Sequence, residues 1–414
     1  MGHQCNKQQT VMAFEIRNVL GIIHHHIKLI LYRMMLPKKI KHIRKKDTIE
    51  VLFVLSELSS WKTEMLFKAM MGHRRFHPVI GVSSFPNHPE FKPQLMNYLV
   101  HKSYEFVDLD SKSDSIKNFN PDLITYHKPY GSYSKGHYYK DNLQYVFFGL
   151  NYGFAIAKNR VHQSHAMFDF CWQFYVENQE VADWKKTVLG YRSNNVCVTG
   201  VPMQDALMSD KNVFEDTWKD KTGKKRIIYA PHHSIKGTNG EGVELSTFLD
   251  FGEPILELVK RYSKDITVAF KPHPNLYNKL VDVWGRKKTD AYYKEWQTLP
   301  NTQLETGEYM ALFKYSDAII HDSASFLLEY LYMDKPGLYL VSQTNTTSSM
   351  YDYVQKGFMC YEHGNSVEEI ETFIKNVLDG KDSGAKKRKE YIENYLRPPG
   401  GKTACENIIN AILG

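Results

Sequence analysis

Two patterns alternate along the chain. Short continuous runs of apolar and β-branched residues mark buried strands, and apolar positions returning every three to four residues mark helices. "TIEVLFVL" (48–55) reads as a buried strand and leads into "SELSSWKTEMLFKAMM", where Ser56 or Ser59 is placed to cap a helix. "FHPVIGVSS" is a second strand, and "FKPQLMNYLVHK" a helix. "PDLITYHKPYG" and "YVFFGLNYGF" are further strands, each running into a polar, glycine-containing loop, and "NVCVTGVPMQDAL" reads as strand, turn and short helix. Strands alternating with helices predict a parallel sheet.

The Lys-rich stretch "KDKTGKK" (219–225) interrupts this pattern, which then restarts. "RIIYAPHHS", "DITVAFKPHPN", "DAII", "PGLYLVS" and "GFMCYEH" supply strands, with a helix through "STFLDFGEPILELVKRYS". "SVEEIETFIKNVLDG" and "CENIINAILG" close the chain as helices. Neither a short repeat nor a low-complexity tract occurs. The reading is an α/β protein with two Rossmann-like domains facing a cleft. The expected divisions are an N-terminal helix over 1–46, a first domain over 47–218 and a second over 219–414, the last helix being free to pack back on the first domain. Ligands in such sheets bind at the carboxyl ends of strands, so the loops after strands are where chemistry is expected.

Composition changes little. With 414 residues, 42% hydrophobic and 24% charged, the chain is globular and too long for one compact core. A net charge of +7 favours an anionic partner without choosing among phosphate, lipid and nucleic acid. Positive charge is concentrated over 38–46, and no helix-turn-helix, zinc or RNA-binding signature accompanies it, so nucleic acid is not an expected partner. The five scattered cysteines, with no CxxC, fit a reducing cytosol.

The N-terminal segment "VLGIIHHHIKLILYRMML" raises a membrane question, but Arg17, His24, His25, His26, Lys28 and Arg33 interrupt it. A spanning helix needs about 20 mostly apolar residues. No cleavable leader is expected. The run "PKKIKHIRKK" follows directly. Two readings fit: an interfacial helix on an anionic bilayer, or an amphipathic helix packed on its own protein.

Four loops of the second half carry polar chemistry: "YAPHHS" with His232 and His233, "KPHPN", "HDSAS", and the hydroxyl-rich "YLVSQTNTT". In "HDSAS", Asp322, Ser323 and Ser325 lie where a helix begins. Hydroxyls and free backbone N–H groups there suit phosphate oxygens; an ordinary N-cap uses the same residue types, and the two roles are compatible. Glu329, further along that helix, is placed to meet ribose hydroxyls or to sit as a solvated charge. In "KPHPN", prolines on both sides of His273 restrict the backbone and so aim the imidazole, with Lys271 as a nearby cation. Such a histidine suits phosphate contact or proton transfer. No GxxxxGK[ST] and no acidic pair at metal-ligand spacing is present, so no metal is called for.

"VTGVPMQDAL", "YAP", "KPHP" and "HDSASFLLEYLYMDKPGLYL" occur in an order that resembles the CDP-glycerol glycerophosphotransferases of teichoic-acid and capsule synthesis, over about residues 120–414. The resemblance implies a GT-B arrangement and metal-independent, cofactor-free transfer of a polyol phosphate from a CDP-activated donor to a polymer or lipid-linked acceptor, at the inner face of the cell membrane. It implies His273 as catalytic, with Lys271, Asp322, Ser323, Ser325, Glu329 and His232 on the donor side. Better-known members carry a Trp-His-Gly tripeptide in the first domain whose histidine is the proposed base. This chain instead has "FFGLNYG" and "YHKPYG", similar to a capsule-type branch. Asn151 cannot act as a base, so His127 becomes the candidate, with Lys128, Tyr130, Asn151 and Tyr152 on the acceptor side. A nucleotide-sugar glycosyltransferase on the same fold is the alternative.

Overall fold

The computed structural model describes residues 2–151, 153–158, 165–235, 245–307, 309–341 and 349–414; Tyr152 and most of the hydroxyl-rich loop after "YLV" lie outside them. Seven strands form a first sheet: β1 (Ile49–Leu55), β2 (Phe76–Val82), β3 (Phe106–Asp108), β4 (Leu123–Tyr126), β5 (Val146–Leu150), β6 (Cys171–Val176) and β7 (Val196–Val198). Six form a second: β8 (Lys225–Ala230), β9 (Ile266–Phe270), β10 (Thr302–Leu304), β11 (Ala318–His321), β12 (Gly337–Leu340) and β13 (Glu362–Gly364). Their spatial orders are β3-β2-β1-β4-β5-β6-β7 and β10-β9-β8-β11-β12-β13, with every neighbouring pair parallel.

Both sheets are doubly wound, as the restarting pattern predicts. β4, β5 and β9 are buried along their whole length, and β1 and β8 along most of theirs, because helices cover both faces of a parallel sheet. Strand order reverses between β1 and β4 in the first sheet and between β8 and β11 in the second. At such a switch point the flanking loops diverge and leave a crevice at the strands' carboxyl ends. The loops "SELSS" and "HKPYG" flank the first crevice; "PHHS" and "DSAS" flank the second.

Some local readings need correcting. Neither Ser56 nor Ser59 caps a helix: the helix after β1 starts only at Glu64, behind Thr63. β6 and the helices Leu276–Trp284 and Arg286–Thr298 come from stretches without a clear sequence signal. β6 packs tightly on β5, where a Cβ at Gly149 would lie 2.7 Å from both Cys171 Sγ and the Phe174 ring.

The N-terminal helix runs from Gly2 to Ile43. Leu29, Tyr32, Leu36, Ile40 and Ile43 recur at helical spacing and bury one face against the first domain. The Tyr32 hydroxyl accepts from the Phe147 N–H at 3.0 Å, fixing the helix to β5. The opposite face leaves Ile23, Ile27, Ile30, Leu31 and Met34 in solvent, Met34 being 73% exposed. The buried face is that of an amphipathic helix packed on its own protein, the second of the two readings.

The final helix, Ala404–Leu413, lies against the first domain. Asp205 accepts from the Ala404 and Cys405 N–H groups, both at 2.8 Å, and Arg44 donates to the Ile412 and Ala411 carbonyls. Anion at one end and cation at the other both match the helix dipole. A second tie pairs 156–158 with 349–351, where the Tyr351 and Lys158 N–H groups bond the Ile156 and Ser349 carbonyls. The Tyr353 hydroxyl donates to the buried Glu177 carboxylate nearby.

Candidate active site

In the second domain, the crevice is organised by Asp322, the first residue after β11. Its Oδ1 accepts the His232 N–H at 2.5 Å, and its Oδ2 accepts the Thr247 N–H and hydroxyl at 2.6 and 3.0 Å. Asp322 is 1% exposed, and burial raises its pKa to about 6. The expected phosphate-side acid is therefore a latch: both oxygens are occupied in holding the β8 loop and the start of the helix Phe248–Arg261.

Ser323 stands at the N-cap of the helix Ala324–Leu331 in extended conformation but makes no side-chain cap bond. Ser323 is buried and Ser325 exposed. The first-turn N–H groups are thus not satisfied by the residue in the cap position, unlike those behind Ser366 or Thr403, whose side chains do cap. Glu329 departs from expectation. Its carboxylate is buried and accepts the Tyr309 hydroxyl, so it is not offered to ribose hydroxyls. First-domain Lys62 donates to the same Tyr309 oxygen at 2.9 Å.

Around the β8 and β9 ends, His232, His233 and His273 meet. The His233 and His273 ring centroids are 4.0 Å apart and those of His232 and His273 5.2 Å. The His273 N–H bonds the Pro231 carbonyl at 3.1 Å, so the two proline-bearing loops brace each other. Lys271 is buried at the strand end, its N–H on the Tyr229 carbonyl. Burial, with His233 as the next contributor, pulls the pKa values of His273 and His232 to about 3, so both imidazoles are neutral at working pH.

Hydrogen bonding fixes the tautomers. His273 Nδ1 accepts the Asn275 N–H at 3.1 Å, and His232 Nδ1 accepts the Ser234 N–H at 3.2 Å. A backbone amide can only donate, so each neutral ring carries its proton on Nε2. The three rings bring their nitrogens within 4.8 Å, a spacing compatible with a metal ion. A metal takes an imidazole through an unprotonated nitrogen, however, and in His273 and His232 that nitrogen is already bonded. Two Nε2–H donors suit an anion better.

In the first domain, His127 is 2% exposed, its Nδ1 faces the Val54 carbonyl at 3.2 Å, and burial with neighbouring Lys128 lowers its pKa to about 3. A ring sealed in this way is not placed to take an acceptor's proton, which corrects the expectation for His127. Lys128 is buried as well and bonds Glu57 Oε1 at 2.6 Å. Asn151 Nδ2 points to Glu177 Oε2 at 3.5 Å. Tyr130 is partly exposed, its ring edge-on to His165. Glu57 escaped the sequence reading because "SELSS" looked like a helix start. Burial raises the Glu57 pKa, but the Lys128 and Ser60 hydrogen bonds more than offset this and leave it below the usual range.

A family model described as CDP-Glycerol:Poly(glycerophosphate) glycerophosphotransferase matches residues 150–414. The chain is 23% identical over 240 residues to the teichoic acid ribitol-phosphate polymerase TarK of Staphylococcus aureus, covering 56% of this chain and 43% of that protein. It is 24% identical over 220 residues to the teichoic acid glycerol-phosphate primase of Bacillus subtilis, covering 51% of each. The chain thus spans about half the length of these curated relatives. Among solved structures, the wall teichoic acid polymerase TagF, in a histidine-to-asparagine variant, aligns with TM-score 0.59 at 14% identity, covering 94% of this chain and 97% of that one. The UDP-GlcNAc 2-epimerase of Neisseria meningitidis aligns at 0.55 and 16%, covering 88% and 100%. The shared architecture is the two-domain GT-B fold.

The Asp322 latch makes a pH prediction. Its folded pKa of about 6 lies above the ordinary aspartate value near 4. The folded protein therefore binds this proton more tightly than the unfolded chain does, and the contribution of Asp322 to stability falls as pH rises from about 4 to 6. Urea unfolding between pH 4.5 and 7 should contain this slope, and Asp322→Ala should remove it. At pH 7 the same variant should lose at least ~2 kcal/mol, because buried donors on His232 and Thr247 lose their acceptor.

Proposed function

The chain belongs to the CDP-glycerol:poly(glycerophosphate) glycerophosphotransferase family, and on that premise we propose that it transfers a polyol phosphate from a CDP-activated donor to a hydroxyl of a cell-surface polymer precursor, releasing CMP. The carrying observation is the second-domain crevice. There, Nε2–H groups of two neutral histidines and a helix start without a side-chain cap, flanked by Ser323 and Ser325, supply hydrogen-bond donors. Such a set suits a pyrophosphate and stabilises the charge that develops on the leaving CMP. Transfer on this reading needs no metal. Purified protein offered CDP-glycerol, CDP-ribitol and UDP-sugars should release CMP from a CDP-polyol, at an unchanged rate in EDTA. Release of a nucleoside diphosphate from a sugar donor would instead favour a glycosyltransferase, and loss of rate restored by Mg²⁺ would reveal a carboxylate site.

His273 has the sharpest expectation. His273→Ala should keep the fold and lower turnover by roughly 10²- to 10⁴-fold, the usual worth of an acid–base or oxyanion-type group. Because the imidazole is already neutral above pH ~4, wild-type turnover should show no limb near pH 6.5 that the variant abolishes. A lowered melting temperature with near-normal turnover would assign His273 to holding the loop.

The protein is also proposed to work at the inner membrane face, attached peripherally. Among the described residues no helix is long and apolar enough to cross a membrane. The support is the exposed row Ile23, Ile27, Ile30, Leu31 and Met34 on the N-terminal helix. Of the basic run, Arg44 and Lys46 are engaged with the Ile412 carbonyl and Asp122, whereas Lys38, Lys41 and Lys45 are exposed. Each exposed cation near an anionic surface contributes about 1 kcal/mol, weakened by salt. Replacing Ile30 and Met34 by Asp should abolish sedimentation with phosphatidylglycerol vesicles while leaving the melting temperature unchanged; sedimentation equal to wild type would remove this reading.

A further inference from the structure

We infer that Glu57 is the general base that takes the proton of the acceptor hydroxyl. This rests on the proposed transfer and supplies the group that the absent Trp-His-Gly histidine leaves open. Glu57 lies just after β1, at the first sheet's switch point, the counterpart of the crevice that holds His273 in the second sheet. Five residues on, Lys62 crosses to Tyr309, whose hydroxyl bonds Glu329 on the helix opened by Ser323. The β1 loop therefore reaches the helix that Ser323 opens, across the domain contact.

The carboxylate is held at one end only. Glu57 Oε1 accepts Lys128 Nζ at 2.6 Å and the Ser60 hydroxyl at 2.5 Å. Oε2 accepts no hydrogen bond among the described residues, and the side chain is 13% exposed. Lys128 itself is locked, its Nζ 4.5 Å from the centroid of the Phe85 ring. One oxygen anchored and one open is the arrangement a positioned base requires.

The step balances. The acceptor hydroxyl oxygen forms a bond to the phosphorus bearing the polyol, while its proton passes to Glu57 Oε2. The bond from that phosphorus to the bridging oxygen breaks, and CMP leaves with the electron pair on that oxygen, facing the Nε2–H donors. Glu57 then releases the proton to water.

The test begins with wild-type CMP release, since its absence would sink the transfer reading and not this one. Given release, Glu57→Gln should lower kcat by at least 10²-fold with donor KM within about twofold. The wild-type acid limb of kcat, below the ordinary glutamate range, should vanish in the variant. Formate should partly restore turnover to Glu57→Ala, which a structural ion-pair partner would not allow. More than a tenth of wild-type turnover in Glu57→Gln, or a purely thermal defect, overturns the inference. If Gln prevents folding, Glu57→Asp carries the test: withdrawal of the carboxylate by one methylene should lower kcat at unchanged KM, and wild-type kcat overturns it.

Discussion

The second domain of this molecule hangs on one buried carboxylate. Asp322 joins the end of β11 to the loop after β8 and to the start of the helix Phe248–Arg261, through three hydrogen bonds between 2.5 and 3.0 Å. Parallel strands on either side of a switch point send their helices to opposite faces, and nothing in the sheet itself ties their loops together. A carboxylate accepting backbone N–H groups performs that task without adding a side chain to the crevice. Its high folded pKa is the thermodynamic mark of the cost, a charge kept out of water for the sake of geometry. The first sheet solves the same problem with Glu57 and Lys128, a pair between side chains that leaves one oxygen free.

On the proposed reading, anion recognition relies on direction more than on net charge. Burial strips proton affinity from both His232 and His273, and neighbouring His233 further opposes the protonation of each. Their use as neutral donors then depends on the tautomer, which the i to i+2 contacts from Ser234 and Asn275 hold. Proline supplies the other half of this control. Pro272 and Pro274 narrow the backbone on both sides of His273, and the Pro231 carbonyl receives its N–H. A donor set that is preorganised and uncharged loses little reorganisation energy when a phosphate arrives.

Much of this was legible in the sequence, because doubly wound sheets write themselves as apolar strands followed by polar, proline- or glycine-bearing loops. β1, β8, β9 and β11 and the helix after "HDSAS" stand where their patterns put them. β6 was missed because "CWQFYV" has two half-buried positions, Trp172 and Gln173, and is preceded by Phe168-Asp169-Phe170 with no turn residue. Side-chain partnerships were the larger gap. Pattern alone gives no sign that Asp322 turns inward, that Glu329 pairs with Tyr309, or that His127 is sealed while Glu57 is half open. Each of these depends on which neighbouring strand lies alongside, and those neighbours are tens of residues away in sequence.

The placement of the terminal helices also bears on mechanism. The N-terminal helix is joined to β5 through Tyr32, and the last helix is held by Asp205 and Arg44, all within the first domain's body. The exposed apolar row, the basic residues beside it and Glu57 therefore belong to one unit. His232, His273, Asp322 and Ser323 belong to the other. Were the N-terminal helix to grip a membrane, as proposed, it would orient the Glu57 side of the molecule relative to the bilayer. The contacts that cross between the units include Lys62 to Tyr309, Tyr353 to Glu177, the Asp352 and Tyr353 N–H groups on Glu180, and Lys314 on the Leu207 and Ser209 carbonyls, and one continuous apolar core runs through both. Neither the Asp322 latch nor the Glu57–Lys128 pair takes part in those contacts, so each crevice is organised within its own unit.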